Sequence, residues 1–562
     1  MEFLDARRLT GPSLHFDDPA AVLDVECRKE EADLLFPAWQ AAVHALLVEF
    51  DWPEPRFSRI DVSGGVSLAF TVPIDGLYAA SEITEGACAV AMAGLSGGAA
   101  PDADAILSAA RAAYADERSP ELLMLEQRAA HEGVTFLWDD DAVSLGLGSG
   151  SRTWPRDSLP DPESLDWQGF RDVPVGLVTG TNGKTTTVRI AQHILQAGSG
   201  SVGLSSTDWI AIDDRVIDRG DWSGPGGARA VLREQAVDVA ILEAARGGLL
   251  RRGLGVSHAT AALITNISED HLGDFGSRSL DELLDIKWIV SRAVREQGTL
   301  VLNADDERLV ARASDYSGRL VWFSLDAGNR VVHRHVDRGG DAWILDGQDL
   351  VHRHAAGDER LCADRDLPIS LGGAARHNVA NALAAGALTH SMGADYAMIT
   401  GGWRSMTQAD NPGRCNVFRA GDRTVLLDFA HNPRAMRALF DMARSLPGKR
   451  RALCFGQAGD RPDPLIRQMT RDAWSIGLDR IYISELAKYY RGRGAGEVYA
   501  VIRDELLALG ADPAIIEHHD EESESLAAAM DWAKGGDLVI MLALGSAAEI
   551  HAQLRDLTPG TG

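Results

Sequence analysis

The sequence predicts an α/β protein of three domains: an α+β N-terminal domain over residues 1–165, a central α/β domain with a parallel sheet over 166–410, and a C-terminal α/β domain over 411–562. Three observations predict it. From about residue 170, apolar runs of strand length alternate with helical stretches, as in VPVGLVTG, VDVAILEAA, TAALITNIS and GTLVLNADD. That is the rhythm of a parallel sheet with crossover helices. The rhythm restarts after MTQADNPGRCN with TVLLDFAHNPRAMRALFDMARSL, RALCFGQAG, RIYISEL and DLVIMLALG. A Gly-, Ser-, Pro- and Asp-rich stretch, GLGSGSRTWPRDSLPDPES, reads as the boundary between the first two domains. A length of 562 residues accommodates three such units at roughly 100–200 residues each.

In the first domain, SLAFTV alternates as a strand does, and ADAILSAARAAYADE reads as an Ala-rich helix. The whole chain carries 55 Lys+Arg against 82 Asp+Glu, a formal charge of −27. Such a balance excludes gripping nucleic acid or an anionic membrane as the main role, while leaving room for a local phosphate site. Hydrophobic residues at 45% and charged residues at 24% place the chain among globular proteins rather than disordered ones. Its five cysteines (Cys27, Cys88, Cys362, Cys415, Cys454) are odd in number and far apart, the pattern of reduced thiols. No signal-like N-terminus and no apolar run of about 18 residues occurs, so the expectation is a soluble cytoplasmic protein.

The strongest local chemistry lies in VTGTNGKTTT, which comprises Gly180, Thr181, Asn182, Gly183, Lys184, Thr185 and Thr186. A strand running through a Gly-rich loop into a helix presents successive backbone N–H groups, and the helix's partial positive charge, to phosphate oxygens. Lys184 reaches β/γ-phosphates in such a loop, and the Thr185 hydroxyl ligates Mg²⁺. Against the pattern G-x-x-x-x-G-K-[ST], Val178 replaces the first glycine, so the loop is a shorter variant that turns at Gly180.

Further motifs follow in order: ILEAARGGLLRRGLG with Glu243 ending an apolar strand; TNISEDHLGDFG with Asn266, Asp270 and His271; NADD ending at Asp306. Then come ARHNVANALAA with His377, Asn378 and Asn381; NPGR with Arg414; LDFAHNP with Asp428, His431 and Asn432. GQAGDR with Asp460 and Arg461, and RGRGAGE with Arg491, Arg493 and Glu497, complete the series. With these motifs the chain resembles the Mur-type ATP-dependent ligases, alongside folylpolyglutamate synthetase. The segments DRGDWSGPGGAR and EAARGGLLRRGLG bring it nearest to the Mur-ligase half of the cyanophycin synthetases. The resemblance covers roughly residues 170–562.

The resemblance implies an ATP-dependent acid–amino-acid ligase, ADP-forming, built on a central P-loop domain and a Rossmann-like C-terminal domain, with ATP and Mg²⁺ as cofactors. Lys184, Glu243, His271 and Lys287 would be catalytic, with Thr185, Glu243 and His271 as metal ligands. Nucleotide contacts would come from Gly180 through Thr186 and from Asn378, Asn381, Arg414 and Asp428. Substrate contacts would come from His431, Asp460, Arg461, Arg491, Arg493 and Glu497. The residues alone leave plainer readings open. Lys287 in LDELLDIKWIVSRAV also suits an ordinary surface position, Asn378 and Asn381 suit caps or core amides, and the RGRGAGE charges suit a solvated loop.

ARRLTGPSLHF and LEQRAAHEGVTFLWDDDAVSLGLGSGSR resemble the N-terminal domain of the same synthetases, up to the stretch that introduces their ATP-grasp domain. Here the chain enters the P-loop within about 30 residues, which leaves no room for that domain. One ligase site is therefore expected, joining an amino acid to an Asp-like or peptide carboxylate, with the N-terminal domain docking the acceptor. Trp222 stands where the resemblance places a smaller residue, so a substrate other than cyanophycin is expected. Homo-oligomerisation and a separate ATP-grasp partner stay open. So do two other functions, an accessory subunit of such a ligase and a P-loop hydrolase or kinase. A hinge is expected near Gln408–Gly413, closing the last domain over the nucleotide. Two HRH tripeptides, His333/His335 and His352/His354, read as a polar hairpin rather than a metal site.

Overall fold

The computed structural model describes residues 1–198, 200–269 and 279–557. The first strands, β1 (Glu2–Leu9), β2 (Ala20–Glu26), β3 (Phe57–Val62) and β4 (Gly65–Thr71), form an antiparallel sheet in the order β1-β2-β4-β3. One face packs on α1 (Lys29–Leu47) and α2 (Leu77–Ser96): Leu23, Val25, Leu68 and Phe70 meet Trp39, Val43, Ile83 and Ala87. The Ala-rich segment forms α3 (Ala103–Glu117), capped by Asp102, and α4 (Pro120–Glu132) follows, capped by Ser119. Both caps accept a first-turn N–H that has no partner inside the helix.

The Gly-, Ser-, Pro- and Asp-rich stretch between the first two domains is structured. Strands β5 (Phe136–Trp138), β6 (Ala142–Leu145) and β7 (Arg152–Pro155) make a small antiparallel sheet, with β7 inside the Gly/Ser-rich segment. Its glycines serve close packing rather than looseness: a Cβ on Gly150 would lie 2.3 Å from the Arg171 carbonyl oxygen. From Pro155 to Val175 the chain makes two short 3₁₀ turns, Pro162–Ser164 and Trp167–Gly169, and enters the central sheet. No further domain intervenes there.

The central strands are β8 (Val175–Thr179), β9 (Val202–Ser205), β10 (Trp209–Ile212), β11 (Arg215–Arg219), β12 (Val239–Glu243) and β13 (Ala259–Ile264). They continue with β14 (Val294–Asn303), β15 (Arg319–Ser324), β16 (Asp341–Asp346), β17 (Asp349–His354) and β18 (Gly357–Ala363). The sheet order is β11-β10-β9-β12-β8-β13-β14-β15-β16-β17-β18, parallel from β9 to β16 with antiparallel edges. Every residue of β8 is buried, as expected of an apolar run covered on both faces. Helix α5 (Lys184–Leu195) follows β8, and α6 (Pro225–Leu232), α7 (Arg246–Arg252) and α8 (Leu280–Trp288) follow in turn. Then come α9 (Glu307–Arg312), α10 (Arg330–Val336), α11 (Arg376–Ser391) and α12 (Tyr396–Ser405), with α11 and α12 packed on α5.

The hairpin reading of the HRH pairs holds for one of them. His352 and His354 lie on β17, but His333 and His335 lie on α10, where Asn329 accepts from the N–H groups of Val331 and Val332 and starts a helix. His352 is buried between Asp341 at 2.9 Å and the Tyr396 hydroxyl at 2.8 Å, stacked on Trp343. It is a satisfied core histidine.

In the last part of the chain β19 (Asn416–Ala420), β20 (Arg423–Asp428), β21 (Arg451–Phe455), β22 (Arg480–Ser484), β23 (Ile516–His519) and β24 (Leu538–Leu542) form a sheet in the order β19-β20-β24-β21-β22-β23. All but β19 run parallel. Helices α13 (Pro433–Ser445), α14 (Asp463–Trp474) and α15 (Glu497–Ala508) supply Met436, Ile466 and Ile502 to one core. Helices α16 (Glu522–Trp532) and α17 (Ala547–Leu557) supply Leu526 and Ile550 to another. This doubly wound arrangement is the Rossmann-like one expected, with its loops at the carboxyl ends of the strands. Among the described residues, no helix is long and apolar enough to cross a membrane.

Candidate functional site

The phosphate loop leaves the central strand β8 and ends at α5. Gly180 (φ +141°) and Gly183 (φ +88°) adopt backbone conformations that side chains disfavour. A Cβ on Gly180 would lie 1.9 Å from the Thr265 hydroxyl, and one on Gly183 2.3 Å from the Asn381 amide oxygen. Gly183 occupies the cap position of α5 without a side chain to cap it, so the first turn of the helix has no internal side-chain acceptor there. The loop is held from beneath. Thr181 N–H donates to the Asn266 carbonyl at 2.9 Å, Asn182 N–H donates to the Asn266 side chain at 3.1 Å, and the Thr265 hydroxyl donates to the Asn182 carbonyl at 2.7 Å. Lys184 Nζ folds back on the Thr181 carbonyl at 3.0 Å.

Glu243 ends β12, the strand beside β8, and is only 2% exposed. Its carboxylate accepts from the Thr185 hydroxyl at 3.1 Å, the Thr207 hydroxyl at 2.8 Å and the Thr207 N–H at 3.2 Å. A buried carboxylate beside the P-loop hydroxyl is a pair of hard oxygen donors, the set that holds Mg²⁺ together with phosphate oxygens. The residues present therefore fit a hard divalent cation. His271 and Asp270, expected nearby, lie outside the described residues. Among the described residues no cluster of three or more His, Cys, Asp or Glu forms a metal cage.

Lys287 is not a surface residue. It is 3% exposed on α8, and its Nζ donates to the Gly180 carbonyl at 2.8 Å. Asn378 and Asn381 are buried on α11; Asn378 donates to the Ile369 carbonyl and Asn381 to Asn378, with the Asn381 oxygen against Gly183. Asp306 caps α9, accepts from the Ile267 N–H at 2.7 Å and meets Arg434 of α13 at 3.6 Å.

The C-terminal sheet faces this loop. Asn432, the cap of α13, exchanges amide hydrogen bonds with Asn182 at 2.8 and 3.3 Å. Arg414 lies over the Phe429 ring and 3.5 Å from Asp208, while Asp428 accepts from the Cys415 N–H at 2.7 Å. His377 Nε2 approaches Cys415 Sγ at 3.0 Å, and burial holds its pKa below the usual histidine value. His431 Nδ1 is 2.9 Å from the Phe429 carbonyl. Asp460, Arg461, Arg491 and Arg493 gather in the loops after β21 and β22. Arg491 pairs with Asp460 at 2.5 Å, and Arg493 binds Asp463 and the carbonyls of Gly459 and Arg461, each at 2.7 Å, so it braces the loop. Glu497 is exposed in the first turn of α15.

Asn411, which opens NPGR in the expected hinge, also belongs to this neighbourhood, together with Arg189, Thr207 and Asp208, which no motif names. The only sequence signal for these three is a lone arginine among Val188, Ile190 and Ala191 in the helix after the loop.

A phosphate loop on the central strand of a parallel sheet, a buried acid on its neighbour and a second parallel domain seated on the loop define a Mur-type ligase architecture. Residues 178–389 match the Mur ligase middle domain, and residues 413–545 match the Mur ligase glutamate ligase domain. The chain belongs to the Mur ligase family. It is similar to the cyanophycin synthetase of Crocosphaera subtropica, 33% identical over 402 residues that take in 71% of this chain and 45% of that protein. The chain thus spans less than half the length of that curated relative. Its fold is similar to E. coli FolC in complex with DHPP and ADP, with a TM-score of 0.50, 20% identity, and coverage of 68% of this chain and 89% of that one. It is equally similar to Mycobacterium tuberculosis folylpolyglutamate synthase complexed with ADP, with a TM-score of 0.50, 18% identity, and coverage of 68% and 90%.

Proposed function

We propose that the chain is an ATP-dependent carboxylate–amine ligase, which joins the amine of an amino acid to an Asp-like or peptide carboxylate through an acyl phosphate and releases ADP and phosphate. The observation that carries this reading is the amide pair between Asn182 in the phosphate loop and Asn432 at the cap of α13. It seats a second domain directly on the nucleotide loop, an arrangement that hydrolysis alone does not require and that an acyl phosphate needs for protection from water. Family membership and the likeness to a cyanophycin synthetase support the same reading.

In the first step a carboxylate oxygen bonds to the γ-phosphorus and the bond to the β,γ-bridging oxygen breaks, leaving ADP. Lys184 and the first-turn amides of α5 meet the phosphate charge, and such transfer is chiefly positioning and neutralisation. Thr185 and Glu243 would hold Mg²⁺, which, when bound, neutralises phosphate charge. In the second step the amine attacks the acyl carbon, the C–N bond forms, and phosphate leaves with one oxygen of the original carboxylate. The amine's surplus proton passes to solvent or a base. Arg461, Arg491 and Asp460 would receive the donor amino acid; carboxylate recognition is the usual office of arginine, and Arg491 and Asp460 are paired in the loops after β21 and β22.

The acceptor would approach from the N-terminal side, where β1–β4 and α7–α8 enclose a cavity of about 430 Å³. The chain from Pro155 to Val175 holds no second ATP-dependent unit, so one bond-forming site is proposed. The test is incubation with ATP, Mg²⁺ and pools of amino acids and short Asp peptides, with phosphate release as readout. Release that depends on the amine supports the ligase. Release without substrates favours a hydrolase, and nucleotide binding without release favours an accessory subunit.

A further inference from the structure

Arg189 lies on α5, just beyond the phosphate loop, and is 3% exposed. Its Nη1 donates to the Asn411 side-chain oxygen at 2.9 Å and to the Pro412 carbonyl at 3.4 Å. Its Nη2 donates to Asp208 Oδ2 at 2.5 Å, and its guanidinium covers the Trp209 ring at 4.1 Å. Asn411 returns a hydrogen bond to the Thr186 hydroxyl at 3.3 Å. The linker that joins the central and C-terminal domains is thus fastened to the phosphate-loop helix at two points. The same oxygen, Asp208 Oδ2, lies 3.5 Å from Nη2 of Arg414. One carboxylate oxygen is shared by two guanidiniums, the nearer being Arg189. The residue before Asp208 is Thr207, which holds both oxygens of Glu243.

We propose that Arg189 is a positioning residue: by occupying Asp208 and pinning the linker, it keeps Arg414 available to the nucleotide. The proposal rests on the reading in which Arg414 meets ATP. The physical reason is competition. The Arg189 and Arg414 side chains are 2% and 16% exposed and the Asp208 carboxylate 35%, so two buried cations, each costly to leave unpaired, compete for one partly solvated carboxylate. Once Arg189 is removed, Asp208 keeps Arg414 as its nearest cation, and that guanidinium closes onto the carboxylate. The linker meanwhile keeps its Asn411–Thr186 hydrogen bond to α5. Arg189 therefore governs nucleotide affinity through another residue, and a second substitution can separate this from a structural role.

The test is calorimetric titration of the full chain with Mg·ADP. Arg189→Met should weaken binding about tenfold, the size of one charge-assisted contact. Adding Asp208→Asn should restore most of the affinity, because nothing then draws Arg414 away. In an Arg414→Met background, Arg189→Met should weaken binding no further. Wild-type affinity in Arg189→Met, failure of Asp208→Asn to restore it, or additive losses with Arg414→Met would each overturn the proposal while leaving the ligase reading intact. If Arg189→Met does not fold, Asp208→Asn alone decides: it frees both guanidiniums and should bind Mg·ADP at least as tightly as the wild type, and weaker binding overturns the proposal. No Mg·ADP binding by the wild-type chain overturns both readings.

Discussion

Asn182 and Asn432 exchange hydrogen bonds across the cleft: Asn432 Nδ2 donates to Asn182 Oδ1 at 2.8 Å, and Asn182 Nδ2 donates to Asn432 Oδ1 at 3.3 Å. The Asn432 oxygen also accepts from the Ala435 N–H at 3.0 Å, so one amide caps α13 and closes the domain onto the phosphate loop. The two tasks are separable. Asn432→Ala removes both and should cost about 1 kcal/mol of stability for the cap. Asn432→Ser keeps a capping oxygen and should leave the unfolding midpoint nearly unchanged. Both variants should show a larger radius of gyration in solution scattering, since the cross-cleft pair is lost in each.

Glu243 is the buried acid of the proposed cation pair. Glu243→Gln keeps the size and removes the charge; its oxygen still accepts from the Thr207 N–H, while its NH₂ donates to the Thr207 hydroxyl instead of accepting from it. Turnover should fall on the order of 10²-fold, the loss expected when a preorganised electrostatic group is removed. The Mg²⁺ concentration for half-maximal rate should rise, while the melting temperature moves little. An Mg²⁺ titration of the initial rate checks this.

Lys287 holds the Gly180 carbonyl, at the point where the chain leaves β8 for the loop. Lys287→Met is close in length and leaves that buried carbonyl without its donor, a loss worth about 1–3 kcal/mol. Calorimetric unfolding should register the loss, and Mg·ADP affinity should fall with it. A surface lysine would show neither effect.

His15 lies between the hydroxyls of Ser58 and Ser67, and burial lowers its pKa from 6.5 to about 4. The folded state disfavours the imidazolium, so the unfolded chain binds more protons between these values. Stability contributed by the neutral ring is present above pH 6.5 and is lost as pH falls toward 4, by up to about 3 kcal/mol. Denaturant midpoints measured from pH 7 to pH 4 should fall in the wild type, and fall less steeply in His15→Gln.

What was legible in the sequence was local. VTGTNGKTTT is contiguous, and its glycines, lysine and threonine state strand, turn, helix and phosphate chemistry within ten letters. The alternation after it gave the parallel sheet, because apolar runs covered on both faces stand out against amphipathic helices. The two glycine-rich stretches differ, because glycine marks close backbone approach as readily as looseness. In GLGSGSRTWPRDSLPDPES it marks close approach, and β7 forms within that stretch. Asn182 and Asn432 stand far apart in the chain, and nothing in either local pattern names the other. Lys287 was ambiguous because burial depends on the packing of α8 against the loop, and Arg189 was silent because one arginine in a helix usually faces water.

The central claim is that bond formation proceeds through an acyl phosphate. It is tested most directly by supplying short Asp peptides carrying ¹⁸O in the carboxylates, with ATP, Mg²⁺ and the amino-acid pool, and weighing the released phosphate by mass spectrometry. One ¹⁸O should appear in phosphate for each amide bond formed. Amide product accompanied by unlabelled phosphate would contradict the account.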